Sequence, residues 1–317
     1  RSDITGIASV LSIINDYTDN FNTINLVIQK SSVPVVYLRI SSENLKEMIS
    51  SKSNVAFETG YEVSTFLNQN AYVKVKNSSR YFTDIVVSPD IGLQLGNYDN
   101  PFRFQVNLHP EINTYFWRGS RLGIKTNLPL IDFEYVDKFN YIRPETVTLE
   151  QFFRVTDAVF GRFSVGMFNF QRYGFDFETG VWLFNGKVLM NGSISYTGYM
   201  AYLKEGTSGI YNDVYSMNVL EKSTINSFQY FGDFEYRFSN YDLAIKVGYG
   251  EYLYHNKAIS FEMIRNFEEF LIGFRGYSGS TGNTLEGRLI IPLIPNKYLN
   301  QQRFRIRMAN RLDYSHP

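Results

Sequence analysis

The chain has 317 residues, its 31 Lys and Arg are balanced by 31 Asp and Glu, and it contains no cysteine. Without a basic surplus, general nucleic-acid binding is disfavoured. Without cysteine, disulfides, thiolate catalysis and Cys-based zinc sites are excluded. Aromatic residues make up 17% of the chain although its mean hydropathy is −0.22, and no apolar run is long enough to be a transmembrane helix.

Residues 1–55 are predicted to form a small α/β unit in the order helix, strand, strand, helix. The supporting segments are apolar residues at helical spacing over 4–14, β-branched runs over 24–28 and 33–40, and a helix through Ile49 that is capped by Ser41 or Ser42. A unit of this size is small for independent stability, so we expect it to pack on the rest of the chain. Its place is either the periplasm or, as a plug, the lumen described below.

From about residue 57 to the C-terminus, apolar and polar residues alternate, which is the pattern of half-buried β-strands. In the segment 241–249, for example, Tyr241, Ile245 and Tyr249 share one face and Lys246 lies on the other. The same pattern occurs over 102–108, 187–200, 228–237 and 303–308, and it is interrupted at Phe231.

Many of these strands are about 9–12 residues long, the length that a tilted strand needs to cross a bilayer, whereas strands of soluble proteins average about 5–6 residues. Turn signals such as Asn185-Gly186 separate them. Long strands in a meander are typical of outer-membrane proteins. We therefore predict a mostly β protein, with an antiparallel transmembrane β-barrel of about 12–14 strands over residues 56–317.

Aromatic residues concentrate near the predicted strand ends, where Tyr and Trp side chains of membrane barrels meet the lipid–water interface. The residues predicted at this interface are Trp117, Trp182, Tyr196, Tyr241 and Tyr249. The alternative is a soluble β-sandwich or carbohydrate-binding domain, in which such aromatics fill the core. Strand length and the polar opposite faces favour the membrane barrel.

The polar face of the predicted strands carries charges of both signs, which is typical of a hydrated lumen. The cationic residues predicted to contact a polymer there are Arg103, Arg121, Lys125, Lys246, Arg288, Arg303, Arg305 and Arg307. The run Arg303, Arg305, Arg307 admits two interpretations: a basic stripe that meets an anionic polymer, or arginines that pair with carboxylates of neighbouring strands, such as Glu286. The second interpretation is favoured.

Signals for an enzyme are weak, so we predict no catalytic residues, no bound metal and no cofactor. None of His109, His255 and His316 has a neighbour at metal-ligand spacing. A serine-hydrolase elbow G-x-S-x-G does not occur in the sequence. A hydrolase site assembled from several strands would leave no spacing signal, and an outer-membrane enzyme is the least favoured alternative.

A series of segments resembles the C-terminal half of the YjbH-like family, which comprises outer-membrane β-barrels linked to exopolysaccharide and capsule export. The segments are 101–108 with Trp117-Arg118-Gly119 and 122–130, then 161–168 leading into 173–178, then 242–252, then 267–277 with 287–293, and finally 303–311. Each is low in specificity, and their order and spacing carry the likeness, which spans roughly residues 80–317. The family's N-terminal half and lipoprotein cysteine are not found, as expected of a fragment or a shorter relative.

The resemblance implies a location in the bacterial outer membrane and a non-catalytic role as a conduit or accessory in exopolysaccharide or capsular polysaccharide export. It implies outer-membrane lipids, an anionic polysaccharide and other envelope export proteins as partners, and no nucleic acid. The alternative that stays open is a structural barrel component of another cell-surface secretion or adhesion machine, with a plugged lumen.

Overall fold

A computed structural model describes residues 22–43, 61–64, 80–95, 102–133, 141–156, 158–169, 171–184, 187–205, 214–219, 227–252, 255–267, 270–280, 282–293, 303–309 and 311–316. Within these ranges the chain is mostly β-strand and forms two sheets, one of three strands and one of fifteen. The strands of the larger sheet follow the period-two alternation of the sequence.

The smaller sheet contains β1 (Thr23–Lys30), β2 (Val33–Ser41) and β3 (Tyr61–Ser64), all antiparallel in the order β1-β2-β3. Strands β1 and β2 form a hairpin whose two turn residues, Ser31 and Ser32, have φ angles of 49° and 64°. Two successive left-handed residues are typical of a type I′ turn, whose twist matches that of the flanking strands.

The N-terminal unit differs in part from the predicted α/β order. Because β3 pairs with β2, the unit extends beyond the predicted boundary at residue 55, to at least Ser64. The prediction assigns this segment to the barrel with the rest of 56–317, since local periodicity does not reveal which sheet a strand joins. The predicted helix over 4–14 lies outside the described residues, and the second helix is described only at residues 42 and 43.

The larger sheet is a meander. Its strands are β4 (Thr83–Leu95), β5 (Phe102–Thr114), β6 (Ser120–Phe133), β7 (Arg143–Arg154), β8 (Val159–Asn169), β9 (Arg172–Leu183), β10 (Val188–Glu205), β11 (Val214–Val219), β12 (Ser227–Phe238), β13 (Leu243–Glu251), β14 (Lys257–Phe267), β15 (Phe270–Gly279), β16 (Gly282–Pro292), β17 (Phe304–Met308) and β18 (Arg311–His316). Within the series β4 to β10 and within the series β12 to β16, each strand pairs antiparallel with the next one. Strand β10 also pairs with β12, and among the described residues β11 pairs with β10 alone.

The two ends of the meander meet at the C-terminal segment. Strand β17 lies parallel to β4, and β18 lies antiparallel to β16. Only residues 309 and 310 separate β17 from β18, and β18 also contacts β4. The hydrogen-bonded path of 14 strands therefore starts and ends in one short segment, although among the described residues no ladder joins its two terminal strands into a ring.

Candidate functional site

The larger sheet buries its polar side chains and exposes its apolar ones. On β8, Ser164 retains 1% of its accessible surface, while its neighbours Phe163 and Val165 retain 42% and 44%. The buried polar residues of this sheet are Gln105, Asn107, Asn113, Ser120, Asn127, Arg143, Ser164, Arg172, Thr197 and Asp233. We call their side the polar face and the opposite side the apolar face. This distribution is the reverse of that in soluble domains.

A chain of ion pairs crosses the polar face from β5 to β9, with one charged side chain from each strand. The Arg121 guanidinium lies 2.6 Å from Glu111 and 3.5 Å from Glu150. The Arg162 guanidinium lies 3.7 Å from Glu150 and 2.6 Å from Glu178. Because charges of opposite sign alternate from strand to strand, each one is largely neutralised by its neighbours.

Further ion pairs occupy the polar face between β12 and β4. The Glu262 carboxylate forms ion pairs with the guanidinium groups of Arg275, at 3.0 Å, and Arg288, at 2.8 Å. The Arg288 guanidinium also makes two hydrogen bonds to Asp313, at 2.9 and 2.5 Å, the fork geometry that favours Arg over Lys. The Lys246 ammonium lies 3.3 Å from Asp233.

Arg305 and Arg307 both pair with Asp84 of β4. Arg305 donates to the two carboxylate oxygens at 2.9 and 2.8 Å, and Arg307 donates to one of them at 3.1 Å. The carboxylate on a neighbouring strand is thus Asp84, and not the Glu286 that was named as an example. The parallel pairing of β17 with β4 creates this contact across more than 220 residues of sequence, which no local pattern reveals.

The remaining predicted cations have different surroundings. Lys125 lies opposite Glu111 in the β5–β6 register. Arg103 has a buried Nε that finds no hydrogen-bond partner among the described residues. Arg303 is exposed just before β17, and its carbonyl accepts a hydrogen bond from the Thr83 amide at 2.8 Å.

Four of the five predicted interface aromatics are exposed. They are Trp117 in the β5–β6 turn, Tyr196, Tyr241 and Tyr249, with 51%, 41%, 67% and 52% of their surface accessible. Trp182 differs from the prediction, because it lies on the polar face with the Arg237 guanidinium 4.6 Å from its ring centroid. Because side chains alternate along β9, Trp182 lies on the same face as Glu178, whereas the exposed Phe177 lies on the other face.

The tip of the β1–β2 hairpin lies against one end of the polar face. The Gly119 amide donates to the Ser31 carbonyl at 2.7 Å, and Arg154 donates to the Pro34 carbonyl at 3.5 Å. Gly119 has φ +83°, and a side chain there would collide with the backbone of Phe152. The turn between β5 and β6 therefore requires glycine at the point where it meets both the hairpin and β7.

A cavity of about 500 Å³ lies between this hairpin and the polar face. Its wall is rich in rings, with Phe152, Phe160, Trp182 and Phe231 among its lining residues. We call these four residues the inward aromatic cluster. The sequence carried a signal for one of them, since Phe231 interrupts the alternation of its strand, but Phe152 and Phe160 were missed.

Lys30 projects from the hairpin into this cavity, with its ammonium 5.2 Å from the centroid of the Phe152 ring. The side chain faces open space, but the surrounding walls displace bulk water. This desolvation lowers the pKa of Lys30, repulsion from Arg162 and Arg121 lowers it further, and Glu150 and Glu178 act in the opposite direction.

The described residues contain no helix that is long and apolar enough to span a membrane. Nor do those residues include a group of three or more His, Asp or Glu side chains placed to hold a metal ion. The His109 Nε2 donates a 3.0 Å hydrogen bond to the Asn127 amide oxygen, and His255 pairs with Glu251 at 2.5 Å.

No family model and no curated protein matches this chain. Among solved structures, the chain is similar to OmpT (in-vitro folded), an outer membrane protein of Vibrio cholerae. The TM-score is 0.35 at 10% sequence identity, over 70% of this chain and 85% of that chain. A similarity this distant does not bear on function.

Proposed function

We propose that the protein is an outer-membrane β-barrel whose apolar face meets lipid and whose polar face lines the lumen. The observation that carries this proposal is the inverted burial, with Ser164 enclosed between the exposed Phe163 and Val165. In water, so large an apolar surface is unfavourable. In a bilayer the same surface is solvated by lipid, and the paired strands satisfy the backbone hydrogen bonds that the membrane interior cannot.

A soluble β-sandwich accounts less well for the same observation. Its aromatic side chains would fill the space between two sheets, whereas Phe104, Phe163, Phe177 and Phe274 are exposed on the outside of the larger sheet. Its charges would face water, whereas the ion-paired charges of this sheet share the enclosed side.

The position of the hairpin supports an orientation. It contacts the end of the larger sheet at which β5–β6, β7–β8 and β9–β10 are joined by short turns. The opposite end carries the longer excursion between β10 and β12, which includes β11. Since short turns of outer-membrane barrels face the periplasm, the hairpin enters the lumen from the periplasmic side.

Within the outer membrane, the function that we propose is a non-catalytic role in exopolysaccharide or capsular polysaccharide export. Two features support it: a lumen of mixed charge, which suits a hydrated polymer better than a lipid, and the order of segments that resembles the YjbH-like family. Outer-membrane lipids, an anionic polysaccharide and envelope export proteins are the partners that follow from this proposal.

A second candidate is a scaffold barrel of another surface machine with a plugged lumen. The contacts of Ser31 and Pro34 with the sheet favour it, because they place the hairpin across one mouth. Conductance in a planar bilayer separates the two. A conduit conducts at least after the hairpin is removed, while a scaffold filled by further segments stays closed.

The first experiment is fractionation of cells together with gel mobility before and after heating. We expect the protein in the outer-membrane fraction, extraction only by detergent, and faster migration of the unheated form. A compact monomer that stays in solution without detergent would overturn the proposal.

The second experiment measures surface polysaccharide in a deletion strain. Reduced staining that is restored by the intact gene supports a role in export. Normal staining with a correctly located barrel would leave the scaffold as the better assignment.

A further inference from the structure

The cavity beneath the hairpin tip combines three kinds of group. It has apolar rings from the inward aromatic cluster, in which Phe152 and Phe160 stack at 6.1 Å between centroids. It has neutral hydrogen-bonding groups, among them Thr179, Asn191 and Ser193. It has a cation, Lys30, that is supplied by a different element from the wall.

The charges of the cavity leave one cation unneutralised. Three cations and two carboxylates line it, so the lining carries a net charge of 3 − 2 = +1. The Arg162 guanidinium is held by Glu178 at 2.6 Å, and Lys246 lies 3.3 Å from Asp233. Lys30 has no ion pair with any residue that the structure describes, and its ammonium lies over the ring of Phe152.

The chemistry of these groups defines the ligand. Aromatic rings bind the C–H faces of a pyranose, the amide and hydroxyl groups bind its hydroxyls, and an unpaired ammonium binds a carboxylate. A phosphate would favour the fork of an arginine, but the Arg162 guanidinium already has three carboxylates within 4 Å, those of Glu150, Asp176 and Glu178. The volume of about 500 Å³ lies in the range of about 300–1,000 Å³ that is typical of small-ligand sites.

We propose that this cavity binds a uronic acid unit of an anionic polysaccharide, with the sugar carboxylate on Lys30 and the ring against the inward aromatic cluster. This inference rests on the proposed function and names its substrate class. Because Lys30 belongs to the hairpin, a bound uronate would connect the hairpin to the lumen wall and place the polymer at the periplasmic mouth.

The chain offers an internal probe for this site. It has two tryptophans, Trp117 and Trp182, and only Trp182 lines the cavity. In the full chain in detergent micelles, Trp117→Phe leaves Trp182 as the single fluorophore. Titration with a galacturonic acid tetramer should give a saturable change of Trp182 emission, and calorimetry of the same titration measures the affinity independently of the fluorophore.

Two comparisons test the chemistry. The methyl-esterified tetramer, which has the same rings and no carboxylate, should bind at least about tenfold more weakly, because it loses the charge-assisted contact. Lys30→Gln should weaken binding of the charged tetramer by a similar factor, while the exposed control Lys187→Gln leaves it unchanged. Faster migration of the unheated form than of the heated form, as in the parent protein, checks that each variant folds.

Equal affinity for the charged and esterified tetramers, an effect of Lys187→Gln as large as that of Lys30→Gln, or the absence of saturable binding by both methods would overturn the inference. If one of these results is found and the deletion strain still loses its surface polymer, the sugar site is rejected and the proposed role in export is kept. Specific binding by a protein that fractionates as soluble would instead reject the proposed membrane function and keep the sugar site.

Discussion

At the scale of single residues, Lys30 is a cation that lines the cavity without an ion pair to any described residue. It is a cation within a partly desolvated space, and the nearest wall carries cations as well as carboxylates. An anionic ligand relieves this mismatch, whereas in its absence the desolvation favours the neutral amine.

Binding of the uronic acid tetramer should therefore depend on pH. Because the pKa of Lys30 is lowered, the ammonium loses its proton at a lower pH than an ordinary lysine. Loss of the proton removes the attraction for the carboxylate, so affinity should fall as pH rises from about 7 toward 10. The measurement is calorimetry across this range.

The other charged groups around Lys30 are Arg162, Arg121, Lys246 and the carboxylates Glu150, Glu178 and Asp233. If their titration governed the pH dependence, the affinity of Lys30→Gln for the tetramer would fall with pH as that of the parent does. We expect the affinity of this variant to stay constant over this range. A fall in its affinity with rising pH would contradict the assignment to Lys30.

Ser31 is a second residue whose local conformation is unfavourable. Its φ of 49° is left-handed, which costs a residue with a side chain more than it costs glycine. Ser31→Gly should stabilise the hairpin by about 0.5–1 kcal/mol, and the backbone contact to Gly119 is retained. Thermal melting in detergent or protection of the hairpin amides from exchange measures the effect.

The matched control is Ser278→Gly in β15, where the backbone is extended and the side chain is exposed. Glycine in a strand interior costs conformational entropy without relieving strain, so this variant should be destabilised by about 0.5–1 kcal/mol. Destabilisation of both variants would show that the turn at Ser31 carries no strain.

At the scale of elements, the pairing of β17 with β4 determines how the two ends of the larger sheet meet. Among the described strands it is the one parallel pair of an antiparallel meander, and it brings Arg305 and Arg307 to Asp84. A register change by one residue would turn the arginines to the other face.

The absence of native cysteine makes this register directly testable. Ile85 and Ile306 are partners in the parallel ladder, and neighbouring strands lie about 4.8 Å apart. The double variant Ile85→Cys, Ile306→Cys should cross-link on mild oxidation, as seen by altered mobility on a non-reducing gel. The control Val86→Cys, Ile306→Cys places its thiols on opposite faces and should not cross-link. Cross-linking of the control but not of the first pair would show a shifted register.

At the scale of the whole molecule, inverted burial separates a membrane protein from a soluble one. Val165 lies in the middle of β8 with 44% of its surface accessible. If that surface faces lipid, Val165→Lys should lower the free energy of unfolding by about 2–4 kcal/mol and reduce assembly into the outer membrane. If the surface faces water, the same substitution should change the free energy of unfolding by no more than about 0.5 kcal/mol.

Tyr241→Lys is the control for this substitution. Tyr241 is also exposed, at 67%, but it belongs to the turn between β12 and β13, where a charge near the interface costs little. Heat-modifiable mobility of both variants in isolated membranes is the readout. Equal assembly of the two would argue against a lipid-facing β8.

The sequence by itself determined the strands of the larger sheet, their length and the faces on which charges and aromatics lie. These features follow from the period of two that the extended backbone imposes on neighbouring side chains, which is a local property. For this reason the exposed positions of Tyr196 and Tyr249 and the shared face of Arg121 and Lys246 could be read from the order of residues.

Only the tertiary structure decided which distant groups meet. Asp84 faces Arg305 because the sheet curls until its first strand meets the C-terminal segment, and Lys30 faces Phe152 because a separate hairpin packs on one end of the sheet. The tertiary structure also placed Trp182 in the wall of the cavity, together with residues of other strands and of the hairpin. Such contacts depend on sheet curvature and packing between units, and periodicity along one strand contains neither.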